Sequence, residues 1–95
     1  MFTEIKLGDI QPFARYYIVE INGKTYLLEE DRSSKNIIGE IVDIINPRDI
    51  DKYEEYRNQG YWGVKLKNSE RTLVLKSLSI EEKRQLPKTI FIQDV

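Results

Sequence analysis

The sequence contains no histidine and no cysteine. Without histidine it lacks the commonest general base and metal ligand, and without cysteine it lacks the best nucleophile at neutral pH. Ser-His and Cys-His mechanisms are thereby excluded, as are a disulfide framework and a thiolate metal site, so the fold must hold by packing alone. Neither G-x-x-x-x-G-K-[ST] nor G-x-G-x-x-G occurs, which removes the backbone-amide phosphate cradles of nucleotide enzymes. Long apolar runs are also missing. No stretch approaches the roughly 18 apolar residues a membrane span needs, and "MFTEIKLGDI" carries an acid at its fourth position and no apolar run of signal-peptide length. Together these absences predict a soluble, cytoplasmic, non-catalytic chain with no cofactor, no metal and no membrane partner.

What is present suits a small folded domain. The chain has 95 residues, 40% of them apolar, with one Trp, six Tyr and three Phe, enough for one core but not for two domains. We therefore expect a single domain over residues 1–95. Three widely spaced prolines, Pro12, Pro47 and Pro87, act as punctuation between elements. In "RYYIVEINGKTYLLEE", Asn22-Gly23 separates two β-branched and aromatic runs, the pattern of a two-residue hairpin whose turn positions take positive φ. That turn would pair Ile21 with Lys24, Val19 with Tyr26 and Tyr17 with Leu28. One face is then apolar (Tyr17, Val19, Ile21, Tyr26, Leu28) and the other mixed (Tyr16, Ile18, Glu20, Thr25, Leu27, Glu29), so both are expected to be partly covered.

"SSKNIIGEIVDIINP" is ambiguous. Ile37, Ile38, Ile41, Val42, Ile44 and Ile45 fit helical spacing, whereas Gly39 and the β-branched excess favour a strand. The strand is the reading taken. "NPRDIDKYEEYRNQG" predicts a short helix with Asn46 as N-cap, Pro47 at its first position and Gly60 past its end. Its wheel would turn Ile50, Tyr53 and Tyr56 inward and Asp51, Lys52 and Glu55 toward water. A second hairpin follows, with Trp62, Val64 and Leu66 facing Leu73 and Leu75 around a turn near "KNSE". Ser79-x-x-Glu82 is a capping box opening a second short helix that Pro87 closes, and "TIFIQDV" reads as a last strand. The sum is a small α+β domain, a curved, mostly antiparallel five- to six-stranded sheet or partial barrel with two short helices.

The carboxylate pairs Glu29/Glu30, Glu54/Glu55 and Glu81/Glu82 do not suggest acid/base catalysis. Adjacent residues point to opposite faces of a strand or diverge by about 100° on a helix, so they do not converge on one substrate atom. Asp49-x-Asp51 falls at the start of the predicted helix, where acids answer the helix dipole.

Charge is distributed unevenly. Residues 1–56 carry seven Lys/Arg against twelve Asp/Glu, and residues 57–95 carry eight against four. Two candidate surfaces follow. The first is acidic, Asp49, Asp51, Glu54 and Glu55 on the predicted helix among tyrosines, a combination suited to a protein partner with a basic cleft. The second is the hairpin 57–76, where Arg57, Tyr61, Lys65, Lys67, Arg71 and Lys76 offer cations for phosphates and a ring for stacking, so RNA is the alternative partner. Small pseudo-barrels of the PUA type are similar in architecture to the expected sheet and are compatible with that alternative. An isoelectric point near 5.5 argues against bulk nucleic-acid binding. The leading expectation is a non-catalytic protein that docks on a larger macromolecule, a nucleic-acid-handling enzyme above all, and regulates or inhibits it. Its size and build resemble those of accessory or anti-defence proteins of phages and mobile elements.

Overall fold

The structure is a computed structural model that describes residues 2–5, 14–32, 34–46, 48–67 and 70–86. In chain order the elements are β1 (Phe2–Ile5), β2 (Arg15–Ile21), β3 (Lys24–Asp31), β4 (Ser34–Ile45), α1 (Ile50–Asn58), β5 (Trp62–Lys65), β6 (Thr72–Lys76) and α2 (Ile80–Gln85). The strands form one six-stranded sheet in the order β1-β2-β3-β4-β6-β5, antiparallel at every junction. This is the curved antiparallel α+β architecture expected from the sequence. β1 is an addition: four residues are too short a stretch to carry a periodic signal. The expected last strand over 89–95, Pro12, Pro47, Pro87 and two residues of the "KNSE" turn lie outside the described residues.

The first hairpin forms in the expected register, with Ile21 opposite Lys24, Val19 opposite Tyr26 and Tyr17 opposite Leu28. Its turn residues, Asn22 and Gly23, take φ of 51° and 80°, values that Asn and Gly reach at little cost. The second hairpin pairs Trp62 with Leu75, Val64 with Leu73 and Lys65 with Thr72.

β4 joins the two hairpins, and it is irregular twice. Leu27 pairs with Gly39 but Leu28 pairs with Ile37, which leaves Ile38 as an extra residue. Leu75 pairs with Ile41 but Val74 pairs with Asp43, which leaves Val42 as another. Each bulge resets the alternation of side chains and bends the strand. The doubled apolar pairs at 37/38 and 41/42, which imitate helical spacing, are thus a bulged strand feeding apolar side chains to both faces.

Two clusters, one on each face, make up most of the core, with Ile45 and Val74 buried outside them. Tyr17, Val19, Tyr26 and Leu28 are buried on one, with Ile21, Ile37, Leu78 and Leu86 packed against them. Tyr16, Leu27, Leu73 and Leu75 are buried on the other, joined by Ile38, Ile41, Trp62, Val64 and Leu66. Leu78 and Leu86 flank α2, whose capping box is complete: the Glu82 amide donates to Ser79 Oγ at 3.1 Å and the Ser79 amide donates to Glu82 Oε1 at 3.2 Å. The carboxyl of Glu82 is held below its ordinary range chiefly by that bond from the Ser79 backbone. On the second face the Tyr16 hydroxyl donates to Glu29, its cross-strand partner, at 2.9 Å. Burial, reinforced by that carboxylate, pushes Tyr16 up to about 12. Among the described residues no helix is long and apolar enough to cross a membrane.

Trp62 ties edge to centre. A Cβ on Gly39 would come within 2.8 Å of the Lys76 carbonyl oxygen and 3.3 Å of the Trp62 ring, so only glycine lets β5's indole lie across β6 onto β4. Gly39→Ala should therefore lower stability by about 1 to 3 kcal/mol, the usual cost of forcing added atoms into packed structure. Urea unfolding checks this, and an unchanged midpoint would mean that the strands have room to part.

Candidate functional site

The acidic candidate residues lie on or beside α1, so its placement decides what they can do. The helix starts later than the sequence suggests. Asp49, not Asn46, is the N-cap, its side chain accepting from the Lys52 amide at 3.3 Å. Asn46 instead closes the preceding turn, accepting the Arg48 amide on its side chain at 3.0 Å and the Asp49 amide on its carbonyl at 2.9 Å. Both residues are good caps, and the local Asn46 turn wins because it satisfies two amides before the helix begins.

The end of the helix is a left-handed glycine cap. Gly60 takes φ of 88°. Its amide donates to the Arg57 carbonyl at 2.9 Å and the Tyr61 amide to the Tyr56 carbonyl at 3.1 Å, the paired bonds of a Schellman motif. That motif commonly carries an apolar contact between the residues it joins, and here Tyr56 and Tyr61 supply it, their rings stacked with centroids 5.9 Å apart and planes 26° from parallel.

One carboxylate on the sheet holds the helix. Asp43 accepts from the Tyr56 hydroxyl at 2.6 Å, lies 3.1 Å from Lys52 Nζ and takes the Ile44 amide at 2.7 Å. The Tyr56 bond, with help from Lys52, holds the Asp43 carboxyl below its usual range. Reciprocally, that same bond raises Tyr56, and the bond to Asp43 raises Lys52. Tyr53 packs over Gly63, where a Cβ would come within 2.6 Å of its ring. Two expectations for the helix need correction. Ile50 is not inward but 66% exposed, because the latch rotates the helix toward Lys52, Tyr53 and Tyr56. Lys52, expected to face only water, reaches back to Asp43.

The outward side of α1 carries the acids. Asp51, Glu54 and Glu55 are exposed; Glu54 lies 3.6 Å from Arg57, while Asp51 and Glu55 form no ion pair among the described residues. Asp49 is exposed too, with one oxygen engaged in the cap. Exposed Ile50 stands beside them. The four predicted acids are thus brought to one helix.

The basic candidates are less convergent. Lys65, Lys67, Arg57 and Arg71 are exposed and Lys76 is half-buried. Lys65 pairs with Thr72 at one end of β6 while Lys76 closes the other, a separation of four strand residues or about 13 Å. Between them, on the side shared by Gly63 and fully buried Val74, lies Tyr53 of α1. Tyr61 is stacked on Tyr56, and Trp62 belongs to the core of the opposite face. Two aromatics that a base could stack on are therefore engaged within the protein. Lys76 lies opposite Glu40, which also faces Lys24 at 3.8 Å. Among the described residues no three Asp/Glu side chains gather as a metal would require.

The Asp43 latch was not legible in the sequence, since Asp43 lies among isoleucines in a strand and only the second bulge turns it toward Tyr56. Its effect on stability has a definite sign. A folded-state value below the unfolded one contributes stability that is complete above about pH 4 and is lost as pH falls through the depressed value. The gap in urea midpoint between the wild type and Asp43→Asn should accordingly be constant above about pH 4 and shrink below it. A gap that stays the same down to about pH 2 would show that the carboxylate's charge is irrelevant to the helix.

No protein-family model matches this chain, and no curated protein or solved structure matches it either.

Proposed function

We propose that this protein is a non-catalytic cytoplasmic binding protein that docks, through the outward face of α1, on a larger protein with a basic cleft and regulates or inhibits it. A nucleic-acid-handling enzyme is the partner class whose clefts carry that charge, and an accessory or anti-defence role in a phage or mobile element fits the chain's size. The supporting observation is the orientation of α1. Lys52 and Tyr56 hold it to Asp43 and Tyr53 packs over Gly63, leaving exposed Asp51, Glu54, Glu55 and Ile50 free of any part in holding the helix to the sheet. Such an arrangement gives long-range steering from the carboxylates and a small apolar contact from the isoleucine.

Asp51→Lys combined with Glu55→Lys should abolish capture of a protein partner from bacterial lysate at low salt while lowering the unfolding free energy by no more than about 1 kcal/mol, the scale of an exposed charge at a helix start. Capture by the wild type should survive nuclease treatment and weaken as salt rises, since exposed charges are screened over about 8 to 10 Å at physiological ionic strength. Equal capture by the variant, or loss of everything after nuclease, would reject α1 as the docking surface.

The RNA reading keeps one observation in its favour, the exposure of Lys65 and Lys67 at the outer end of β5. It has less support because the stacking rings beside them are engaged. Wild-type protein is expected to give no gel shift with single-stranded RNA at about 50 mM salt, where electrostatic binding is easiest to see. A shift at low micromolar protein that Lys67→Glu removes would reverse the preference.

A further inference from the structure

We propose that α1 is a separately opening clasp over the β4-β6-β5 half of the sheet, held shut at Asp43. No residue of the helix is buried, in contrast to the sheet, where Val19, Leu27, Leu28, Leu73, Val74 and Leu75 are all at 0% exposure. What fastens α1 is the half-buried pair Tyr53 and Tyr56 together with two polar contacts that converge on one carboxylate. α2 buries no residue of its own either, but partly buried Leu78 before it and Leu86 after it pack against the apolar cluster of Tyr17, Val19, Tyr26 and Leu28, so its two ends are tied to the core.

Both ends of α1 are suited to hinge. The Asn46 turn before it and the Gly60 cap after it draw their hydrogen bonds from within residues 46–61, so neither needs the sheet to keep its geometry. Opening therefore breaks few bonds outside the helix. It does remove the cover from Val74, whose neighbours Gly63 and Asp43 lie on the same side. A nine-residue helix is marginal in water by itself, so an undocked α1 melts, and its amides should lose protection together. Regions joined to the rest by so little buried apolar contact are the ones that open below the global unfolding free energy.

Opening also sets a limit on anything that recognises α1 as a helix. A partner gripping its outward face binds only the docked form, so its apparent affinity scales with the docked fraction.

Native-state hydrogen exchange on the full chain tests the clasp. In the wild type the amides from Tyr53 to Asn58 should exchange as a group, at least about 10-fold faster than those of Leu27, Leu73 and Leu75 once corrected for intrinsic rates. Tyr56→Phe keeps the ring and its stack on Tyr61 but deletes the bond to Asp43. It should speed the α1 amides a further 5- to 10-fold, within the scale of a typical net hydrogen bond at a partly exposed site, and leave the three strand amides unchanged. Asp43→Asn should do the same to a lesser degree. The proposal is overturned if α1 and the strands exchange at one rate, if Tyr56→Phe speeds both alike or neither, or if protection falls off gradually from the helix ends as simple fraying would have it.

Discussion

The ring of Trp62 lies against Gly39, two strands away, across the buried leucines of β6. That contact needs the sheet to bend, and β4 bends because it carries two extra residues, Ile38 and Val42. Bulges increase local twist and redirect side chains. Here they let one twelve-residue strand pair with β3 along one edge and β6 along the other while presenting apolar groups to both faces. Remove that bend and the second hairpin loses its place against the first, since β4 is the one strand that pairs with both.

A two-faced core is demanding for a chain of 95 residues. Small domains hide a modest share of their surface, and this one divides what it has between a tyrosine-rich cluster beneath the ends of α2 and a leucine-rich cluster closed by Trp62. Little apolar surface remains for α1, which meets the sheet with tyrosines and a lysine instead. Tyrosine serves such a boundary well, because its ring packs while its hydroxyl finds a partner. The second bulge provides that partner by turning Asp43 to the side that α1 covers.

The same economy shapes the surface. Because the inner side of α1 satisfies its own needs through Asp43 and Gly63, the structural duties of its acids are confined to the Asp49 cap, the place of Asp51 in the first turn, where it answers the helix dipole, and a Glu54–Arg57 pair. The cations of the β5-β6 hairpin are spread toward its two ends, with α1 lying between. Charge that looks balanced in the whole chain is in this way displayed as exposed carboxylates on α1 beside scattered basic positions.

Local chemistry was written plainly in the chain. Asn22-Gly23 determined the first hairpin and its register, Ser79-x-x-Glu82 the start of α2, and Gly60 the end of α1, because each depends on residues a few positions apart whose backbone preferences act without help from the rest of the fold. The apolar alternation of β2 and β3 likewise told which side chains share a face. Tertiary structure alone decided the start and rotation of α1, the bulges of β4 and the Asp43 latch. Asn46 and Asp49 are both competent caps, and Ile50 is as apolar as Tyr53, so the helix wheel contains no preference strong enough to choose between them. The choice falls to a carboxylate from a distant strand, and that carboxylate reaches Tyr56 only because one inserted residue, Val42, has shifted the register of its strand against β6, a long-range pairing that no local window of sequence contains.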